Sequence, residues 1–315
     1  MAFTMNSDVE AALAAMLGDG APPTPALGDI KSRRTAIEAL QQATSAMLPM
    51  PCDVKMTDFS VSMPDEHELL LRWYTKEGSS PGSAVLYLHG GGMILSSVEI
   101  YDGPVARYVS ESGVPFLSVE YRLAPEHPHP TLIEDCYAGL KYLHDNAANL
   151  GVDSARIAVM GDSGGGCLAA ALPIMARDRG GPEIASQILI YPMLDDRNIT
   201  PDPKLEPFVT WSYVDNETAW RAVLGENMGS DEVSPYAAPA RVDSMRGLPP
   251  AFIEIGELDI FRDETLAYAQ QLVRAGVSTE LHMHPGVPHA FETMVPQCEL
   301  ALRVMQDRIR ALKSF

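Results

Sequence analysis

The amino-acid sequence predicts an α/β fold: a mostly parallel, eight-stranded sheet with helices on both faces. The first observation is that short apolar runs alternate with helical segments along the chain, a pattern typical of parallel sheets. The second is a serine between glycines directly after one such run, which indicates a strand-to-helix corner. The third is that 46% of the 315 residues are hydrophobic, as one large core requires.

The elements follow from the apolar runs and the helix breakers between them. Two helices are expected before about residue 50, separated by the proline-rich stretch 21–25. Residues 54–61 and 69–74 predict an antiparallel pair of strands around a turn at 64–66. Six further strands are expected at 84–88, 114–121, 156–161, 186–191, 250–255 and 278–284. Among the expected helices are 132–146, 264–275 and 299–312.

Residues 193–242 are the exception to this alternation. The stretch is rich in proline and encloses a helical segment at 215–224, for which Asp215 or Asn216 is the expected N-cap. The stretch follows the serine corner in the chain, so it can fold over the carboxyl ends of the strands.

The serine corner is the sequence Gly161-Asp162-Ser163-Gly164-Gly165. Glycine is expected on both sides because the serine backbone is strained and the following helix passes close to the strand. The N-terminal amides of that helix point toward any anion that forms beside Ser163. The pattern therefore predicts an exposed nucleophile.

A glycine-rich loop, His89-Gly90-Gly91-Gly92, follows the strand at 84–88. Its amides can stabilise the negatively charged oxygen of a tetrahedral intermediate, and the amide after the nucleophile can add to them. No Gly-Lys-Ser/Thr or Gly-x-Gly-x-x-Gly sequence accompanies the loop, which argues against a nucleotide site.

A serine nucleophile needs a base and a carboxylate that orients the base. Two carboxylates, Glu257 and Asp259, follow the strand at 250–255, and His289 follows the last strand. Both positions fit the chain order of serine, acid and histidine in hydrolase sheets. His282 and His284 lie within the last strand and are expected to be structural or solvent-facing.

Together these motifs resemble the hormone-sensitive lipase family of α/β-hydrolases, small esterases with His-Gly-Gly-Gly and Gly-Asp-Ser-Ala-Gly-Gly motifs. The resemblance spans most of the chain and rests on residues 89–92, 120–126, 161–166, 234–239 and 259–264. It implies that Ser163 is the nucleophile, Asp259 the acid and His289 the base. It also implies that Gly91, Gly92 and Gly164 supply the oxyanion hole, and that His89 holds its loop in shape.

Two positions depart from the family pattern, which usually has Ala in place of Gly164 and Gly in place of Ala290. Neither change removes a reacting atom, so both bear on substrate fit and rate rather than on the reaction class.

The resemblance further implies a single α/β-hydrolase domain over residues 1–315, with a helical cap formed by about 1–50 and about 193–242. Met93, Phe208, Trp211 and Tyr213 are the candidate walls of the substrate pocket, although aromatic residues in a cap also pack in a small core of their own.

The expected function is a carboxylesterase that acts on short- to medium-chain acyl esters. Hydrolysis of lactones, amides or thioesters by the same three residues stays open, as does a receptor on a hydrolase fold that has lost its catalysis. No cofactor is needed. The pair His127 and His129 lies between prolines, without further ligands at metal spacing, so no metal site is expected there.

The net charge of −19 argues against nucleic-acid partners and anionic membrane surfaces. No signal peptide or spanning segment is expected. The four cysteines, Cys52, Cys136, Cys167 and Cys298, lack Cys-x-x-Cys spacing, which favours reduced thiols in the cytoplasm. Cys167 is expected to pack in the core. Since family members often pair through an edge strand and the final helix, a homodimer is an open possibility.

Overall fold

The sheet positions the candidate site. The computed structural model describes residues 3–17, 24–45, 48–80 and 82–315. Its strands are β1 (Val54–Ser62), β2 (Glu68–Lys76), β3 (Ala84–Leu88), β4 (Phe116–Val119), β5 (Ile157–Asp162), β6 (Ser186–Ile190), β7 (Ala251–Gly256) and β8 (Thr279–His284). They form an eight-stranded sheet in the order β1-β2-β4-β3-β5-β6-β7-β8.

Strand direction divides the sheet into two parts. β1 pairs antiparallel with β2, and β2 pairs antiparallel with β4. The strands from β4 through β3, β5, β6 and β7 to β8 are all parallel to their neighbours. Because β5 lies between β3 and β6, the corner at its carboxyl end opens near the middle of the sheet, where the loops after neighbouring parallel strands meet.

Helices pack on both faces of the sheet, as the alternation predicts. They are α1 (Ser7–Leu17), α2 (Ile30–Ser45), α3 (Asp102–Ser112), α4 (Thr131–Asp145), α5 (Gly164–Arg179), α6 (Tyr213–Leu224), α7 (Arg262–Arg274), α8 (Phe291–Met294) and α9 (Glu299–Leu312). Each strand and helix predicted with numbered ends lies within two residues of its observed ends. Residues 21–23 of the predicted breaker lie outside the described residues.

The prediction that Asp215 or Asn216 caps α6 is wrong, because the helix begins at Tyr213 with Ser212 as its N-cap. The Ser212 hydroxyl accepts a hydrogen bond from the amide of Asp215 at 3.2 Å, and the Asp215 carboxylate accepts one from the amide of Ser212 at 3.0 Å. In such a capping box the acidic residue stands three positions after the cap. The amide side chain of Asn216 is buried and donates to the carbonyl of Asn198.

Two polar contacts join the region of α2 to α6. The buried guanidinium of Arg33 binds the Asp215 carboxylate at 2.7 Å, and the hydroxyl of Thr218 accepts from the amide of Gly28 at 3.1 Å. An ion pair with one buried partner is screened less by water than an exposed one. The N-terminal helix α2 and the insertion after β6 are therefore fastened to each other.

Among the helices that the structure describes, none is both long and apolar enough to span a bilayer. The four cysteines are free thiols; Cys136 and Cys167 are buried. Cys167 packs in the core as predicted, and its Sγ lies 3.2 Å from the carbonyl oxygen of Ala237.

Candidate active site

Ser163 occupies the sharp corner between β5 and α5. Its backbone has φ 55° and ψ −118°, a conformation that costs free energy in a residue with a side chain. A Cβ atom at Gly161 would collide with the carbonyl of Gly165, and one at Gly165 would collide with the carbonyl of Leu88. Only glycine fits at these two positions, so the local sequence builds the corner that presents the Ser163 hydroxyl.

Three side chains that are distant in sequence form a hydrogen-bonded row. The Ser163 Oγ lies 2.9 Å from Nε2 of His289, and Nδ1 of His289 lies 2.6 Å from Oδ2 of Asp259. The other oxygen of Asp259 accepts from the amide of Phe261 at 2.9 Å. Since a carboxylate only accepts, the proton of the neutral imidazole belongs on Nδ1. Nε2 then has its lone pair facing the serine hydroxyl.

The surroundings of His289 favour its protonated form. Burial acts against the imidazolium, but the charge and hydrogen bond of Asp259 outweigh burial, with additional support from the carboxylates of Glu292 and Asp162. The net effect raises the pKa of His289 above its ordinary value. An imidazole with this environment accepts a proton more readily than one in water.

The loop that carries His289 is fastened from two directions. Near its start, the amide of Gly286 donates to Oε2 of Glu257 at 2.9 Å. At His289 itself, the backbone carbonyl accepts from the hydroxyl of Thr210 at 2.7 Å. Glu257 is thus bound to the loop backbone, while Asp259 is the carboxylate on the imidazole. Thr210 belongs to the insertion before α6, so that insertion contacts the backbone of His289 directly.

The two histidines within β8 are separated from the serine corner by two strands, since β6 and β7 lie between β8 and β5. His282 is half-buried and binds Glu280 at 2.6 Å. His284 is buried, and burial lowers its pKa to about 4. Nε2 of His284 has no hydrogen-bond partner among the described residues.

The glycine loop after β3 lies directly against the serine corner. A Cβ atom at Gly164 would stand 2.7 Å from the amide nitrogen of Gly92 and 2.8 Å from that of Met93. Gly91 and Gly92 have positive φ angles of 115° and 58°, which a residue with a side chain rarely adopts. The structure therefore brings the backbones of Gly92 and Gly164 together, with Gly91 one residue away.

His89 supports this loop through contacts with Tyr121 and Gly90. Its ring stacks on Tyr121 at 4.3 Å, and its Nδ1 lies 2.8 Å from the carbonyl oxygen of Gly90. Burial lowers the pKa of His89 to about 4, so the ring is neutral at pH 7. The Tyr121 hydroxyl donates to the backbone carbonyl of His89 at 2.7 Å. These contacts hold the loop in shape.

Asp162 is a buried carboxylate whose role the sequence did not indicate. It accepts hydrogen bonds from the hydroxyls of Tyr87 at 2.6 Å and Tyr101 at 2.8 Å. A Cβ atom at Gly90 would collide with its carboxylate. Asp162 therefore lies between the serine corner and the glycine loop. The available signal was an acidic residue among the small residues of the corner motif.

The four predicted pocket residues lie in different surroundings. Trp211 packs on the glycine loop, because a Cβ atom at Gly92 would be 2.8 Å from its ring. Met93 is buried in the loop itself. Tyr213 is buried at the start of α6, and Phe208 ends a short helical turn and is half-buried. Of the four, Met93 lies in the glycine loop and Trp211 packs against that loop.

Three or more His, Cys, Asp or Glu side chains arranged to hold a metal ion do not occur within the described ranges.

Comparison with known proteins agrees with this geometry. A family model described as the alpha/beta hydrolase fold matches residues 85–293. The chain belongs to this α/β-hydrolase family, in its hormone-sensitive lipase branch. It is 41% identical to carboxylesterase NlhH of Mycobacterium tuberculosis over 235 residues, which cover 73% of this chain and 72% of that protein. It is 32% identical to ethyl acetate hydrolase of Pseudomonas putida, covering 76% of each.

Solved structures with the same fold include a bacterial heroin esterase, with a TM-score of 0.89 and 35% identity over 98% of this chain and 97% of that one. A hyperthermophilic esterase from the archaeon Pyrobaculum calidifontis matches with a TM-score of 0.88 and 32% identity over 99% of both chains. The predicted fold class and the family resemblance are confirmed.

Proposed function

We propose that Ser163, His289 and Asp259 are the catalytic triad of this carboxylesterase. The observation that supports the proposal most is the row of hydrogen bonds from the serine hydroxyl through the imidazole to the buried carboxylate. The enzyme class is that of the serine hydrolases, and the reaction is carboxylic ester hydrolysis.

The proposed reaction has two acyl-transfer steps. Nε2 of His289 takes the Ser163 proton while Oγ attacks the ester carbonyl, and Asp259 stabilises the imidazolium that forms. The imidazolium then protonates the leaving alkoxide, which gives the free alcohol and an acyl-enzyme. Water, activated by the same imidazole, attacks the acyl-enzyme and releases the acid and the free serine.

We propose that the amides of Gly91, Gly92 and Gly164 bind the oxyanion of both tetrahedral intermediates. The close approach of Gly92 to Gly164 supports this assignment, since amides from both elements can then reach one oxygen. Each such donor typically contributes about 3 to 4 kcal/mol to the stability of the transition state.

We further propose one domain over residues 1–315, in which about 1–50 and about 193–242 form a cap over the site. The bond from Thr210 to His289 and the packing of Trp211 on Gly92 support a cap that touches the catalytic loops. Ser163 and His289 are less than a tenth exposed. By resemblance to the family, we propose that the substrates have acyl groups of short to medium length, with Met93, Phe208, Trp211 and Tyr213 as the proposed walls of the pocket.

The net charge and the cysteine thiols bear on the binding partners of the protein and on its cellular compartment. We propose a small-molecule ester as the substrate and no nucleic-acid partner, given the net charge of −19. Free thiols favour a reducing compartment such as the cytoplasm. A homodimer through β8 and α9 is also proposed, and light scattering at several protein concentrations tests it: a mass of one chain at every concentration contradicts it.

The catalytic proposal is tested by Ser163→Ala and His289→Ala with p-nitrophenyl esters of graded acyl length. Both variants should lose essentially all turnover while keeping the thermal unfolding midpoint close to that of the unchanged protein. Intact turnover in Ser163→Ala would exclude Ser163 as the nucleophile. A receptor that lacks catalysis would instead show no turnover in the unchanged protein.

A further inference from the structure

A buried charged cluster lies next to Tyr191. The hydroxyl of Tyr191 contacts this cluster, and its ring contacts the imidazole of His289. We call this group of side chains the Arg308 cluster; its members are Arg308, Glu254, Glu292 and Tyr108. The guanidinium of Arg308 is 2% exposed and binds Oε1 of both glutamates, at 2.9 Å from its Nε to Glu254 and at 2.8 Å from its Nη2 to Glu292. Its Nη1 donates to the Tyr108 hydroxyl at 2.9 Å.

The two glutamates bind the same guanidinium. Ionisation of both buried carboxyls beside a single cation therefore costs free energy. Burial raises the pKa of Glu254, whereas Arg308 and the Tyr191 hydroxyl outweigh burial at Glu292 and lower its pKa. The two carboxyls differ in one contact, because only Glu292 also accepts from the Tyr191 hydroxyl. The Oε2 atoms of both carboxylates are buried and have no hydrogen-bond partner among the described residues.

Tyr191 connects Glu292 to the imidazole. Its hydroxyl donates to Oε1 of Glu292 at 2.8 Å, and its ring meets the His289 ring edge-on at 4.7 Å. Phe261 contacts the same imidazole edge-on at 5.2 Å. Tyr191 has a φ angle of 36°, which is strained for a bulky residue and persists only where its surroundings fix it. Its amide donates to the carbonyl of Glu254 at 2.8 Å.

We propose that Tyr191 and Glu292 are positioning residues for His289: the Tyr191 ring holds the imidazole in line with Ser163, and the Glu292 carboxylate anchors Tyr191 and stabilises the imidazolium. This inference rests on the proposed function, in which His289 is the base. Both residues would act through the imidazole rather than on the substrate.

The sign of the electrostatic effect follows from the groups that face His289. Asp259 from the loop after β7, Glu292 from α8 and Asp162 from β5 all favour the imidazolium. The cation of Arg308 on α9 is paired with Glu254 and Glu292. Removal of the Glu292 charge therefore lowers the pKa of His289.

Two glutamine variants form a matched pair. Glu292→Gln and Glu254→Gln each remove one buried carboxylate from Nη2 of Arg308, but only the Glu292 side chain binds Tyr191; Glu254 binds it through the backbone, which the substitution keeps. In Glu292→Gln, the acid limb of the kcat/KM profile for p-nitrophenyl acetate should move to lower pH by about half to one unit. In Glu254→Gln, the limb should stay in place, because the Glu254 side chain does not bind Tyr191 and is not among the groups that raise the pKa of His289.

Tyr191→Phe is the second test, and it leaves the Arg308 ion pairs intact. Loss of the hydroxyl frees the ring, so kcat should fall about tenfold while KM changes little. Thermal unfolding of all three variants shows whether a loss of rate reflects a loss of folded protein.

Two results would overturn the inference: equal shifts, or no shift, of the acid limb in the two glutamine variants, and an unchanged kcat in Tyr191→Phe. Either result leaves the proposed function standing if His289→Ala is inactive. Activity in His289→Ala would instead contradict the proposed function itself.

Discussion

Gly164→Ala tests the contact between the serine corner and the glycine loop. The structure places the added methyl carbon 2.7 Å from the amide nitrogen of Gly92 and 2.8 Å from that of Met93. Both atoms belong to the backbone, so no side chain can rotate out of the way. The departure from the family's usual alanine makes this substitution informative for this chain.

The size of the displacement follows from the contact distances. Ordinary van der Waals contact begins at 3.4 Å, so the glycine loop must retreat from Gly164 by about 0.7 Å. Displacement of catalytic groups by about 1 Å costs on the order of 100-fold in rate, and loss of one oxyanion donor costs a similar factor. We therefore expect kcat of Gly164→Ala to fall about tenfold to 100-fold, with KM nearly unchanged.

Steady-state hydrolysis of p-nitrophenyl acetate and butyrate measures the effect. Gly103→Ala is the matched control, since it also adds a methyl group to the first turn of a helix, where the nearest atom is 3.6 Å away. This control should keep its kcat and gain about 0.5 to 1 kcal/mol in the free energy of unfolding. A kcat for Gly164→Ala within twofold of the unchanged protein would refute the reasoning.

Three other predictions concern the base and its loop. Asp259→Asn should lower kcat about 10⁴-fold, because an amide in place of the carboxylate permits the wrong imidazole tautomer; turnover within tenfold would contradict the row of hydrogen bonds. The raised pKa of His289 predicts that kcat/KM falls as pH decreases through a value above about 6.5, since only the neutral imidazole takes the serine proton; an acid limb below that value would oppose it. Ala290, at φ 55° and ψ 31°, should tolerate glycine with a change in unfolding free energy under about 1 kcal/mol, whereas Ala290→Val should cost about 2 kcal/mol by urea titration; equal stability of the two variants would argue against the left-handed backbone.

Local patterns predicted the parts of the fold that depend on neighbouring residues. Strands and helices that carry a regular apolar pattern were placed within two residues of their ends, since that pattern reflects burial on the sheet. The N-cap of α6 was misplaced because Asp215 can act either as a cap or as the third residue of a capping box. Ser212, the actual cap, stands three residues before Asp215, and this Ser-x-x-Asp spacing was the available signal.

Chain order and turn chemistry placed Ser163, Asp259 and His289 at strand ends, where the structure brings them together. The contacts around them join residues far apart in sequence. Tyr191 and Glu292 are 101 positions apart, and Thr210 and His289 are 79 apart. No local periodicity marks such pairs, because they result from the way β6, β7, α8 and the insertion pack in three dimensions.

Activation of the Ser163 hydroxyl by His289 is measured most directly by intact-mass and peptide mass spectrometry after treatment with a fluorophosphonate. We expect one adduct per chain, located on Ser163, together with labelling of the His289→Ala variant that is slower by at least a factor of about 1,000. An adduct on another residue, or equally fast labelling of the two proteins, would contradict it.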